Sequence, residues 1–149
     1  MKKAFLFFST IALSVTLLAQ TKKAEDVVKF KEISWDFGKI KQGTPVTHSF
    51  DFSNTSDAPI VIESAIASCG CTTPVKPEAP IAKGQNNTIK AGFNAAAAGP
   101  FNKTITVKVA GIDLPLQLRI TGEVLSADAF AKYQAEKDNS LKPTKTASK

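Results

Sequence analysis

From Val28 to Val124 apolar and polar residues alternate with the period of two that places one face of a strand in a core and the other in solvent. The stretch Val28 to Ile33 leads in. Val46, His48, Phe50 and Phe52 share one face of the next run, and Ile60-Val61-Ile62 starts a strand running towards Ser68. Ile89, Ala91 and Phe93 then fall together, as do Ile105, Val107 and Val109, and Leu116, Leu118 and Ile120 in a strand over Leu114 to Val124. Turn-forming residues separate the runs: Gly38, Gly43 to Pro45, Asn54 to Pro59, Lys83-Gly84, Gly99-Pro100 and Gly111. Short strands with regular turns, each with a single apolar face, predict an all-β immunoglobulin-like β-sandwich over residues 28–125. Ala95 to Ala98 favour helix, but Gly99-Pro100 limits them to a single turn at most.

The two ends break the alternation. Met1-Lys2-Lys3 is basic, Ala4 to Ala19 is apolar with small hydroxyl residues, and Gln20 to Lys23 is polar again. This is the pattern of a signal peptide over residues 1–19, with the cut after Ala19 or Gln20 and a linker over 20–27. The apolar run is shorter than the roughly 20 residues a membrane span needs, so no transmembrane segment is expected once it is removed. Ser126 can cap a short helix over Ala127 to Lys137, with only a weak apolar stripe. Asn139 to Lys149 completes the 126–149 segment as a basic, disordered tail.

Charge narrows the function classes. The formal net charge is +6, but Lys2 and Lys3 leave with the signal, and residues 132–149 carry five lysines against Glu136 and Asp138. The sandwich itself is near neutral, with no basic stripe of interleaved aromatics, so nucleic acid is not an expected partner. Export makes the protein periplasmic or secreted.

Chemistry concentrates in Ser68-Cys69-Gly70-Cys71-Thr72-Thr73-Pro74, which holds both cysteines of the chain. Residues two apart on a straight strand lie about 6.6 Å apart. A disulfide prefers Cα atoms at about 5.5 Å. Closure of Cys69 on Cys71 therefore needs a bend, for which Gly70 can take backbone angles closed to other residues. Two thiolates so spaced also suit a soft ion such as Cu(I), and packed thiols are a third outcome. A closed zinc site needs about four ligands, which His48 and two cysteines do not supply. His48 lies on an alternating apolar face, where a hydrogen-bonded core or edge histidine is expected. No nucleophile elbow accompanies it. Asp36-Phe37-Gly38 reads as a turn, with Trp35 and Phe37 on one face, and Asn54-Thr55-Ser56 and Asn102-Lys103-Thr104 are glycosylation sequons of little weight in a bacterial setting.

Taken in order, Trp35-Asp36-Phe37-Gly38, Phe50-Asp51-Phe52-Ser53-Asn54, the Ser68–Pro74 motif, Gly99 to Val107 and Ile120-Thr121-Gly122-Glu123-Val124 resemble the domain-of-unknown-function 1573 family of exported proteins, common in Bacteroidetes. The resemblance spans about Ile33 to Val124. It implies an immunoglobulin-like sandwich and does not imply a reaction, because the family has no established one; no catalytic residue, metal or cofactor is expected. Many members carry an aromatic just after the Thr-Pro of the cysteine motif, where Val75-Lys76 stands in this chain. The expected protein is an exported, non-enzymatic domain that binds an envelope protein or cell-surface component, with Ser68 to Pro74 as the binding loop. The alternative is thiol-redox or copper handling by Cys69 and Cys71.

Overall fold

The computed structural model describes residues 21–141, so the signal segment 1–19 and the last eight residues lie outside it. Eight strands form two four-stranded sheets. The first has the order β1 (Val28–Phe30), β3 (Val46–Asn54), β6 (Asn86–Phe93), β5 (Thr72–Val75). The second has the order β2 (Ser34–Lys41), β8 (Leu116–Leu125), β7 (Gly99–Val109), β4 (Ile62–Ala67). The expected all-β immunoglobulin-like sandwich is therefore present.

The inward positions are those the alternation marks. Phe50 and Phe52 from β3, Ile89 and Ala91 from β6, Ile105, Val107 and Val109 from β7, and Leu118 and Ile120 from β8 form one buried cluster between the sheets. At about 25 cal/mol per Å² of apolar surface removed from water, this shared core is the main force holding the two sheets together. All pairings are antiparallel except β2 on β8, which is parallel. Parallel pairing follows from the first segment changing sheets. β1 pairs with β3, and the chain then crosses: Lys31 N donates to Asp51 O on one side and Arg119 N to Ile33 O on the other, both at 2.9 Å.

Several expectations need correcting. Within the linker expected over 20–27, residues 23–27 are not free. Ala24 N donates to Leu114 O at 2.9 Å, Lys23 bridges Leu114, a single 3-10 turn covers Ala24–Asp26, and Ala24 is buried. Asp36-Phe37-Gly38 is not a turn between elements but a bulge inside β2, where the register to β8 shifts between Asp36 and Lys39. Gly38 sits at φ +64, and its N–H donates to Asp36 Oδ1 at 2.9 Å. Ala95 to Ala98 form no helical turn, within the limit of one turn at most. Ala95 is buried at φ +52 and its carbonyl accepts from Gly43 N, which uses its backbone for a loop closure instead. The helix α1 runs over Ala127–Leu141, so Asn139 to Leu141, expected in the tail, are helical. Ser126 caps it, with Ala129 N 3.3 Å from Ser126 Oγ.

Candidate functional site: the cysteine corner

Strand β4 belongs to one sheet and β5 to the other, and Ser68 to Cys71 is the corner between them. The corner is held at both ends. Ser68 N donates to Thr104 O at 2.9 Å and Thr104 N donates back to Ser68 Oγ at 3.2 Å, tying it to β7. On the other side Asn94 N donates to Cys71 O at 3.1 Å, tying it to the end of β6. Within the corner, Thr72 N donates to Cys69 O at 3.3 Å.

That internal turn draws the Cα atoms of Cys69 and Cys71 to 5.4 Å, and the structure joins their sulfurs. The contraction relative to a straight strand does not use Gly70 as expected. The φ of Gly70 is not in the left-handed region, and a Cβ built on it meets nothing within 4 Å. Turn formation, rather than a glycine-only backbone angle, brings the cysteines together. Cys71 packs against the core, Thr72 is buried with its Oγ1 3.7 Å from Cys69 Sγ, and Gly70 and Thr73 face solvent.

Of the seven residues of the predicted binding loop, only Ser68 to Cys71 are loop. Thr72, Thr73 and Pro74 belong to β5 and pair with Phe93, Gly92 and Ala91. Pro74 is tolerated because its missing N–H falls on the outer side of an edge strand. Beside the corner lies a cleft of about 200 Å³ formed by Cys71, Ala96, Ala98, Pro100 and the stacked pair Phe93–Phe101, whose ring centroids are 4.1 Å apart. Cavities that enclose small-molecule ligands run roughly 300–1,000 Å³. This cleft is smaller than that range. The alternation pattern marks Phe93 as core but carries no sign that the alanine run would wall a cleft.

His48 is not brought to the cysteines, since β6 stands between β3 and β5. Its Nε2 lies 2.9 Å from Glu32 Oε1, and its ring stacks on Trp35 with centroids 4.0 Å apart. This is the edge histidine the alternation implies, and it links the two sheets where β1 leaves β3 uncovered. Among the described residues no group of three or more His, Cys, Asp or Glu is placed to hold a metal ion. Asn54 is only 1% exposed; its Nδ2 donates to Ala58 O and Ile81 O, and its Oδ1 accepts from Ser56. Its sequon is therefore a loop-bracing side chain, inaccessible in the folded protein. A larger open cleft of about 600 Å³ separates the β2 bulge from α1. Its Asp36, Lys39, Lys137 and Asp138 mix signs, and Lys39 Nζ sits 5.0 Å from the Tyr133 ring centroid, so no single charge converges there.

The sequence profile described as "Protein of unknown function (DUF1573)" matches residues 28–124, most of the chain and nearly the whole sandwich. The chain belongs to this family. No curated protein matches it. Among solved structures, this DUF1573 domain is similar to the ASH/PapD-like domain 7 of human CEP192, with a TM-score of 0.58 at 12% identity, covering 83% of this chain and 99% of that one. It is also similar to a protein of unknown function from Porphyromonas gingivalis W83, with a TM-score of 0.57 at 15% identity over 76% of this chain and 51% of that one. The Vibrio cholerae VesB protease shares the fold over 68% of this chain and 33% of its own, at a TM-score of 0.53 and 14% identity. At these identities the likeness is one of fold. In the DUF1573 sandwich the first segment passes from one sheet to the other. No helix among the described residues is long and apolar enough to cross a membrane.

Proposed function

We propose that this protein is an exported, non-enzymatic binding module of the bacterial cell envelope, and that the Cys69–Cys71 corner with its adjoining cleft is its recognition surface. The observation that carries this reading is the anchoring of the corner. Main-chain bonds to Thr104 and Asn94 fix it to both sheets, while Gly70 and Thr73 face outward. A pre-ordered loop on a rigid scaffold loses little conformational freedom on binding, which favours affinity. The basic N-terminus and apolar run support export, and an oxidising compartment supports a closed disulfide. The partner is an envelope protein or cell-surface component that inserts a side chain between Cys71 and the Phe93–Phe101 stack.

The test is capture from envelope extract by immobilised wild type, Cys69→Ser/Cys71→Ser and Thr73→Arg, with unfolding curves recorded for each. Loss of the same captured band in both variants, with folding intact, is expected. Equal capture by all three contradicts the reading. Fractionation with intact mass tests the compartment: a chain starting at Gln20 or Thr21 in the periplasm or medium is expected, and an unprocessed chain is not.

A second reading is favoured by the half-buried position of Cys69 and Cys71 on either side of exposed Gly70. There the pair exchanges with a dithiol, one sulfur–sulfur bond being passed from Cys69–Cys71 to the reductant. Catalysed reduction of a disulfide substrate by wild type, absent in the double serine variant, would support it over the binding reading.

A further inference from the structure

Three of the four sheet edges are closed to further pairing. Strand β1 has only three residues. On β5 the bond from Asn94 N to Cys71 O turns the backbones of Cys71 and Thr73 towards β6. The outward positions are then Thr72, whose N–H goes to Cys69 O, and Pro74, which has none. Strand β2 is bulged at Gly38 and lies against α1 through Lys39 and Tyr133. Short strands, prolines and bulges are the usual protections of an edge.

Strand β4 lacks them along its second half. Ser68 N donates to Thr104 O, so Ser64, Ile66 and Ser68 turn their backbones to β7 and Ala65 and Ala67 turn theirs outward. Among the described residues no backbone or side-chain group bonds those outward amides and carbonyls. On the outer sheet face Ile66 is 65% exposed, more than any other large apolar residue among the described ones. The open stretch ends at Glu63, where the register to β7 shifts and the carboxylate is held by Lys108 Nζ at 3.1 Å. The open stretch reads Ser64-Ala65-Ile66-Ala67-Ser68, the same in both directions.

We propose that this edge pairs antiparallel with the same edge of a second copy, about a two-fold axis through Ile66. A palindromic strand is its own complement under such an axis. The N–H and C=O of Ala65 meet those of Ala67 of the second copy, and the reverse. Ile66 faces Ile66 as a close non-hydrogen-bonded pair, about 4.5 Å between Cα atoms, so the most exposed apolar side chain of each copy is covered by the other. Ser64 faces Ser68, and no like charges stand opposite. An unrelated extended peptide would satisfy the same amides but would have no reason to bring an apolar residue to the axis. The two second sheets then join into one continuous sheet, and the cysteine corners, one residue beyond the paired strands, stand on either side of the seam. This goes beyond the recognition role proposed for the corner and does not depend on it.

A seam this short belongs to the small, weak class of interfaces, roughly below 1,200 Å², so sedimentation velocity should follow the protein from low micromolar to near-millimolar concentration. The expected result is a rise from monomer to dimer mass, with slowed hydrogen exchange at Ala65 and Ala67 in the concentrated sample. Ile66→Lys, which sets two ammonium groups across the axis, and Ala65→Pro, which removes an outward N–H without breaking the ladder to β7, should each stay monomeric. Cys69→Ser/Cys71→Ser should still dimerise, which separates this inference from the recognition reading. Monomer mass across the series, a dimer retained in both edge variants, or exchange at Ala65 and Ala67 that ignores concentration would each overturn the proposal.

Discussion

Gly70 and Gly122 are both glycines in conspicuous sequence motifs, and the fold treats them oppositely. Gly70 lies between the two cysteines, yet its backbone needs no special angle and a Cβ would enter open space. Gly122 lies in the middle of β8 at φ +156, and a Cβ there would stand 2.7 Å from Phe101 Cζ and 2.8 Å from the Gly38 carbonyl oxygen. At Gly122 the bulge of β2, the ring of Phe101 and the β8 backbone converge, and only a residue without a side chain fits. The fold depends on that crossing. The proposed recognition role requires the reverse of the cysteine corner: that it be carried by the fold and contribute little to holding it together.

The largest effect should come from Gly122→Ala. Overpacking against Phe101 adds to backbone strain, so a loss of about 3 kcal/mol or more is expected in denaturant unfolding. A loss below about 1 kcal/mol would show that β2 and Phe101 yield easily and would erase the contrast. Gly38→Ala, which adds a Cβ at φ +64 in open space, should cost about 1–2 kcal/mol from the left-handed backbone alone. Gly70→Ala should change stability by less than about 0.5 kcal/mol and leave the cysteines joined, as read by intact mass before and after reduction. A larger loss would mean that the turn needs glycine after all.

The smallest effect is electrostatic. Lys31 Nζ lies 2.9 Å from Asp51 Oδ2 and, with lesser help from the Thr88 hydroxyl and His48, holds this exposed carboxyl below its ordinary value. A depressed carboxylate stabilises the fold above its unfolded value, near pH 4, and the contribution disappears as pH falls through the folded value. Wild type should therefore exceed Lys31→Ala slightly at neutral pH, with the gap closing in acid and shrinking in high salt. A gap that persists below that window would assign the effect to packing of the lysine stem.

The core strands were readable because alternation reports burial directly: Phe50, Ile89, Val107 and Leu118 are buried where the period of two places them. Elements set by something other than burial were not. Strand β5 is four residues long and contains Pro74, so it resembles a loop until β6 is seen to pair with it. The Gly38 bulge looked like a turn because a left-handed glycine serves both, and only the parallel partner β8 distinguishes them. The cysteine corner was legible as a place but not as a geometry. The bend itself is a local turn closed by Thr72 N on Cys69 O, but the bonds that fix it between the sheets run to Thr104 and Asn94, partners over twenty residues away along the chain, which no local spacing reveals. The palindrome at Ser64 to Ser68 was in plain view, but it gains meaning only once β4 is known to be an edge.

Equilibrium denaturant unfolding of Cys69→Ser/Cys71→Ser, against wild type, tests most directly whether the corner is displayed by the fold or required by it. A ring this small removes little unfolded-chain entropy, so a loss of about 1.5 kcal/mol with a single cooperative transition is predicted. A loss beyond about 4 kcal/mol, or the absence of a cooperative transition, would make the disulfide a structural staple and contradict the account.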